Sequence, residues 1–253
     1  MSCLLVIPAF RESARLPPFL AALLEHLEHR ALAADVLVVD DGSGAEEQRR
    51  LAELAARLRS QHSRLLEPLC LAQNRGKGGA VRAGWERATA EHDWVGFVDA
   101  DGAVPAREVG RLLGLAFTSA EPSAIFGSRI RMLGRHIERD TLRHLSGRVF
   151  ASLVGRTISP EIYDSQCGLK LLPAAVYRRI AAGLAEDGFC FDVEILAALL
   201  AVGAPVIEVP IDWADQPGSK VSLVRDALRM FLGVRRIHAR RASWDFSKPA
   251  PTP

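Results

Sequence analysis

Long apolar runs are missing from this chain of 253 residues, and none approaches the ~20 residues that a transmembrane helix needs. A membrane is therefore expected to be met only from its surface. Cysteine is scarce: Cys3, Cys70, Cys167 and Cys190 lie far apart and form no CxxC pair. That spacing argues against a disulfide framework or a zinc site and predicts reduced, buried thiols in a cytosolic protein. An excess of one charge is absent too, with 32 Lys and Arg against 30 Asp and Glu, so bulk attraction to nucleic acid is excluded. MSCLLVIPAF lacks a basic n-region and meets Pro8 after a short apolar run, which reads as a strand and not a signal peptide. No GxxxxGK[ST] occurs, which argues against a P-loop NTPase. No Gly-rich signature follows the first strand, which argues against a nucleotidyltransferase. His26, His29, His62 and His92 have no Cys or carboxylate at ligand spacing and are expected at the surface.

With 49% hydrophobic and 25% charged residues, the chain can bury a full core. Leu4–Pro8, Val36–Asp40 and Trp94–Asp99 read as buried strands; Leu16–His29, Glu46–Arg59 and Lys77–Ala90 have helical spacing. This alternation predicts a right-handed parallel αβ sheet. Further along, Ile125–Ser128 and Val206–Val209 read as strands, and Thr141–Val154 and Phe191–Val202 as helices. The organisation expected is one compact domain over 1–220, a basic amphipathic helix over 221–244 and a disordered tail over 245–253.

Ligands collect beyond the carboxyl ends of parallel strands, and three motifs fall there: Pro8-Ala9-Phe10-Arg11-Glu12, Asp40-Asp41-Gly42-Ser43 and Asp99-Ala100-Asp101-Gly102. Asp99 and Asp101 follow Trp94–Val98 directly. Side chains i and i+2 of an extended segment point the same way, so both carboxylates can address one hard cation, Mg²⁺ or Mn²⁺. Such a cation bridges a diphosphate and neutralises the charge that builds as it leaves. The same pair also suits a turn or a helix cap. Asp40-Asp41-Gly42-Ser43 either caps the helix starting near Glu46 or offers a carboxylate to the ring N–H of uracil or guanine. Asn74-Arg75-Gly76-Lys77-Gly78-Gly79-Ala80 has the chemistry of a phosphate loop, with free backbone N–H groups and a lysine.

The ordered set VIPAFRE, VVDDGS, NRGKGGAVRAG, FVDADGA, GSR, DSQCGLK and FDVEIL, spanning about residues 4–220, resembles family 2 glycosyltransferases. The resemblance is to the branch of the dolichyl-phosphate β-glucosyl- and mannosyltransferases, and WADQPGSK near Trp213 is similar to its glucosyl version. It implies an α/β GT-A fold: a mainly parallel central sheet flanked by helices, with a Rossmann-like nucleotide-binding half and an acceptor-binding half. It also implies inversion at the anomeric carbon and a divalent metal. Matched positions imply nucleotide contacts at Pro8, Phe10, Glu12, Asp40, Lys77, Asp99 and Ala100, and a metal at Asp99 and Asp101. Ser128, Arg129, Arg143 and Ser146 match the positions that grip an acceptor phosphate, although each arginine also suits a solvated helix face. Asp164 matches a loop facing the sugar, or is a turn aspartate. Asp192 and Glu194 match the substrate edge, or serve as a helix cap and a first-turn dipole partner. The mannosyl branch has a glutamine where Ala103 stands here, which favours the glucosyl branch and leaves the metal to diphosphate and water.

The implied function is hexose transfer, glucose from UDP-glucose, to a polyprenyl or dolichyl phosphate, with Asp101 as a catalytic residue. Asp164 is the first candidate for a general base should the acceptor be a hydroxyl. Rival readings are a soluble transferase acting on a hydroxyl and a non-catalytic nucleotide-sugar sensor. In the C-terminal helix, Val224, Ala227, Leu228, Phe231 and Val234 form one stripe, and Arg225, Arg229, Arg236 and Arg240 another. It either lies on anionic lipid or packs on the core with a solvated basic face. The expected location is cytoplasmic, at most peripheral on the inner face of the membrane.

Overall fold

The computed structural model describes residues 1–138, 150–216 and 223–246, with 223–228 described by backbone alone. Arg143, Ser146, most of the expected helix Thr141–Val154 and the tail from 247 onward lie outside the described residues; 150–157 are helical.

Strands β1 (Cys3–Ala9), β2 (Ala34–Asp40) and β4 (Trp94–Val98) are nearly continuous apolar runs, and almost every residue in them is buried, as strands covered on both faces require. With β3 (Leu69–Cys70), β5 (Ala124–Ser128), β7 (Leu169–Pro173) and β8 (Val206–Pro210) they form one sheet in the order β3-β2-β1-β4-β7-β5-β8. The expected parallel pairing holds for β3-β2-β1-β4 and for β5-β8. It fails at β7, which runs antiparallel to both β4 and β5. The short strands β6 (Ile137–Glu138) and β9 (Trp213–Ala214) pair separately.

Helices cover both faces. α1 (Leu16–His29), α2 (Ala45–Arg59) and α4 (Ala106–Thr118) pack through Leu20, Leu54 and Leu112 on one side. α3 (Lys77–Trp85), α5 (Ala174–Ile180), α6 (Phe191–Ala201) and α7 (Leu223–Arg240) pack through Val81, Ile180, Phe191 and Val234 on the other. α4 was not anticipated, although Val109, Leu112, Leu113 and Ala116 have helical spacing and are fully buried. α3 stops at Trp85 instead of reaching Ala90. The Trp85 indole packs edge-on against Tyr177 at 4.8 Å and donates Nε1–H to Gly96 O at 2.9 Å, fixing the last helical residue to β4.

His62 and His92 are buried, contrary to the surface expectation. Each faces a carboxylate, His62 Nδ1 lying 2.9 Å from Glu28 and His92 Nε2 lying 3.1 Å from Asp35. These carboxylates are too distant in sequence to show as ligand spacing. Among the described residues no helix is long and apolar enough to cross a membrane.

Candidate active site

The carboxyl ends of β1 and β4 and the start of α3 open onto one cleft of about 680 Å³. Pro8, Phe10, Glu12, Lys77, Asp99, Ala100 and Asp101 all line it. The opposite wall comes from Phe189 and Cys190 before α6 and from Arg229, Leu232 and Arg236 on α7. Asp40 faces a neighbouring cavity of about 410 Å³, which shares Ala9 and Glu12 with the cleft.

Asp40 and Asp41 have different tasks. Asp40 Oδ2 accepts from Ser43 N at 3.0 Å and from Gln48 Nε2 at 2.9 Å, which closes the turn into α2. Asp41 holds the glycine loop: Oδ1 accepts from Arg75 N at 2.7 Å, and Oδ2 from Gly76 N at 2.7 Å and Asn74 Nδ2 at 2.9 Å. Burial pushes the Asp41 carboxyl above its ordinary range, against the lowering pull of the two backbone N–H bonds.

Four of that loop's backbone amides, those of Arg75, Gly76, Gly78 and Gly79, are engaged by the protein itself, where its composition suggested free N–H groups for a phosphate. Gly78 N and Gly79 N both donate to Asp187 O, at 2.7 and 3.2 Å, so these two amides at the start of α3 are already bonded within the protein. A Cβ at Gly78 would run into Glu186 O and Phe191. The glycine is needed because the 186–188 segment lies against the helix start, a close approach that only a bare backbone permits.

Lys77 lies at the centre of a charge network. Its ammonium is 2.9 Å from Asp99 Oδ1 and 3.3 Å from Asp192 Oδ2, and sits 4.7 Å over the Phe97 ring. Burial pulls this ammonium down, but the Asp192 and Asp99 charges more than reverse it and leave it above its ordinary value. Asp192 in turn pairs with Lys170, which has no exposed surface. Asp99 N donates to Gly168 O at 2.9 Å. A Cβ on Gly168 would fall into the Asp99 carboxylate, so glycine is required for this approach.

On the other side of the motif, Asp101 Oδ1 accepts from Ala103 N at 3.0 Å. Burial, and next the charge of Asp99, push the Asp101 carboxyl above its usual range. Glu12 is forked onto Arg15, through Nε at 2.7 Å and a second guanidinium nitrogen at 2.5 Å. Among the described residues no group of three or more His, Cys, Asp or Glu is placed to hold a metal. Asp99 and Asp101, the second raised by burial and by the charge of the first, nevertheless fit a hard cation whose remaining ligands come from diphosphate and water.

The expected acceptor side is built differently from the cleft. Arg129 donates to Asp164 from its backbone N at 2.9 Å, from Nε to Oδ2 at 2.7 Å and from a terminal nitrogen to Oδ1 at 2.7 Å. It also lies 5.5 Å over the Trp213 ring. Asp164 is itself seated by its own N–H to Glu208 at 2.7 Å. Neither Arg129 nor Asp164 lines the cleft, and both oxygens of Asp164 are engaged by the guanidinium. Ser128 is fully buried, and its hydroxyl has no hydrogen-bond partner among the described residues. The sequence reading missed Arg15 and the α7 wall as parts of this site, and it named Asp41 within the Asp40–Ser43 motif without seeing that this residue holds the glycine loop. It also gave no role to Lys170, although DSQCGLK contains it.

Three kinds of comparison bear on this geometry. The chain is 29% identical over 244 residues to dolichyl-phosphate beta-glucosyltransferase of Dictyostelium discoideum, covering 93% of this chain and 73% of the relative. It is 30% identical over 240 residues to the protein of the same name from Saccharomyces cerevisiae, covering 89% and 70%. In fold it resembles glucosyl-3-phosphoglycerate synthase of Mycobacterium tuberculosis, solved with Mn²⁺, uridine-diphosphate-glucose and phosphoglyceric acid. The TM-score there is 0.70 at 13% identity, over 96% of this chain and 80% of that one. The protein is a glycosyltransferase of the GT-A fold. The chain belongs to Glycosyl transferase family 2, whose family model matches residues 4–180.

Proposed function

We propose that this protein transfers glucose from UDP-glucose to a polyprenyl or dolichyl phosphate, with inversion, using Mg²⁺ or Mn²⁺ at Asp99 and Asp101. The observation that carries the reading is the placement of Asp99, Asp101 and Lys77 around one cleft at the carboxyl ends of the strands. The names of the relatives support the sugar and the acceptor. When bound, the cation supplies charge neutralisation for the departing diphosphate. Pro8, Phe10 and Glu12, with Asp40 at the adjoining cavity, are proposed to seat the nucleotide. Lys77 meets the diphosphate as a point charge, and Asp101 is the essential carboxylate.

A phosphate acceptor suits the carboxylates present. Attack by a phosphate oxygen on the anomeric carbon breaks the bond to the nucleoside diphosphate and needs no proton removed, because the monoester is already ionised near neutral pH. A hydroxyl acceptor would need a base. In the cleft, Glu12 is held by Arg15, Asp99 by Lys77, Glu186 by Arg236 and Asp41 by the glycine loop, and Asp101, which accepts from Ala103 N, is assigned above to the cation. Asp164 is clamped by Arg129. We propose that Arg129, with Ser128, Arg143 and Ser146, serves the acceptor side. We propose further that α7 meets the membrane from which the acceptor comes. Phe231 and Leu232 are 39% and 47% exposed, and Arg235 beside them is exposed as well.

The test is incubation with UDP-glucose, Mn²⁺ or Mg²⁺ and polyprenyl phosphate. A β-linked glucolipid is expected. Transfer to a soluble hydroxyl acceptor with no glucolipid would defeat the lipid-phosphate reading while leaving the transferase intact.

A further inference from the structure

Lys170 stands inside β7 with no exposed surface, and Asp192, in the first turn of α6, is 1% exposed. The Lys170 ammonium donates to Asp192 Oδ1 at 2.5 Å and to Cys167 O at 2.8 Å, and rests 4.8 Å over the Phe126 ring. A buried ion pair is a poor way to stabilise a core, since apolar residues of similar volume commonly do as well or better. This pair is distinguished by what its second oxygen does. Asp192 Oδ2 reaches the Lys77 ammonium at 3.3 Å, and Lys77 spans from there to Asp99 at the cleft, 2.9 Å away. The charges alternate from core to cleft: Lys170, Asp192, Lys77, Asp99.

Lys77 therefore has two anchors of different character. Asp99 has a side chain 38% exposed, whereas that of Asp192 is 2% exposed. An arriving diphosphate with its cation competes for Asp99 but cannot reach Asp192. We infer that Asp192 is a positioning residue that keeps Lys77 aimed at the donor diphosphate once Asp99 is taken up by the cation, and that Lys170 fixes Asp192 for this task. The inference rests on the nucleotide-sugar reading of the cleft and assigns a task to a pair that would otherwise be core structure.

The readout is the preference for UDP over uridine in titration calorimetry with Mn²⁺, since only the diphosphate reports on Lys77. Wild type should prefer UDP. Lys77→Met should lose about tenfold or more of that preference, the size expected for a charge-assisted bond. Asp192→Asn should lose a similar amount while leaving uridine affinity unchanged. Asp192→Asn strands a buried ammonium, so Lys170→Met/Asp192→Asn, which removes that ammonium, is tested beside it. The double variant should regain thermal stability relative to Asp192→Asn and still lack the UDP preference. Wild-type preference in either Lys77→Met or the folded double variant overturns the inference, as does an equal fall in UDP and uridine affinity. A wild-type protein with no diphosphate preference would instead defeat the nucleotide-sugar reading, and this inference with it.

Discussion

Replacing Gly168 by alanine tests whether the Asp99 carboxylate must lie where it does. The backbones of Asp99 and Gly168 are tied by the Asp99 N–H to Gly168 O bond of 2.9 Å just beyond the ends of β4 and β7, so they cannot separate without losing it. An added Cβ would overlap the Asp99 carboxylate itself. The carboxylate must then swing aside and leave Lys77, now 2.9 Å away. A displacement of about 1 Å in a reacting constellation costs on the order of 10²-fold in rate, so kcat should fall by about that factor. Overpacking should cost roughly 1–3 kcal/mol, lowering Tm by several degrees in a domain of this size. Gly114→Ala in α4 is the control. A Cβ there meets no atom within 4 Å, so that variant should gain ~0.5–1 kcal/mol from helix propensity and keep its rate. Glucosyl transfer and thermal melts on both variants decide the matter. A folded Gly168→Ala enzyme with wild-type kcat would refute the argument that this glycine places Asp99.

Asp101→Asn should abolish turnover while preserving the fold; wild-type rates would remove Asp101 from the chemistry. Its stability has a signed pH dependence in metal-free protein. Burial and Asp99 raise the Asp101 carboxyl in the folded state, so its contribution is full below the unfolded pKa and is lost as pH rises through the folded one. The Asn variant should therefore gain on wild type in Tm from acidic to neutral pH, and a gap that narrows instead would contradict the assignment. Glu194→Ala removes a fully buried carboxylate that accepts from Ala185 N at 3.0 Å and Glu186 N at 2.8 Å and pairs with Arg240 on α7. A loss of about 3 kcal/mol in denaturant unfolding is expected, and an unchanged midpoint would show that α7 is held by other contacts. Phe231→Glu should weaken sedimentation with phosphatidylglycerol vesicles without changing Tm, and unaltered binding would place the membrane contact elsewhere.

What the sequence disclosed depended on whether the cause of a feature was local. α1 matches its expected bounds, Leu16–His29, because its signals are carried by the segment itself: prolines at the first helical positions and leucines returning on one face. β7 does not announce itself, because Lys170 interrupts its apolar run and its antiparallel direction is set by β4 and β5, not by its own residues. The acidic motifs follow the same division. That Asp99 and Asp101 end a buried strand is written in the chain; that Lys77 and Gly168 hold one of them in place is not. NRGKGGA is the sharpest case, since its glycines truly report that something lies against the backbone of the helix start. A phosphate group and the carbonyl of Asp187 make the same demand there, a bare backbone and donated N–H groups. Composition alone could not choose between them; Asp41 and the 186–188 segment bond the amides of Arg75, Gly76, Gly78 and Gly79 within the protein. On the function proposed above, recognition of the diphosphate falls mainly to side chains at the cleft, and Lys77, held between Asp99 and Asp192, is the cation we propose for it.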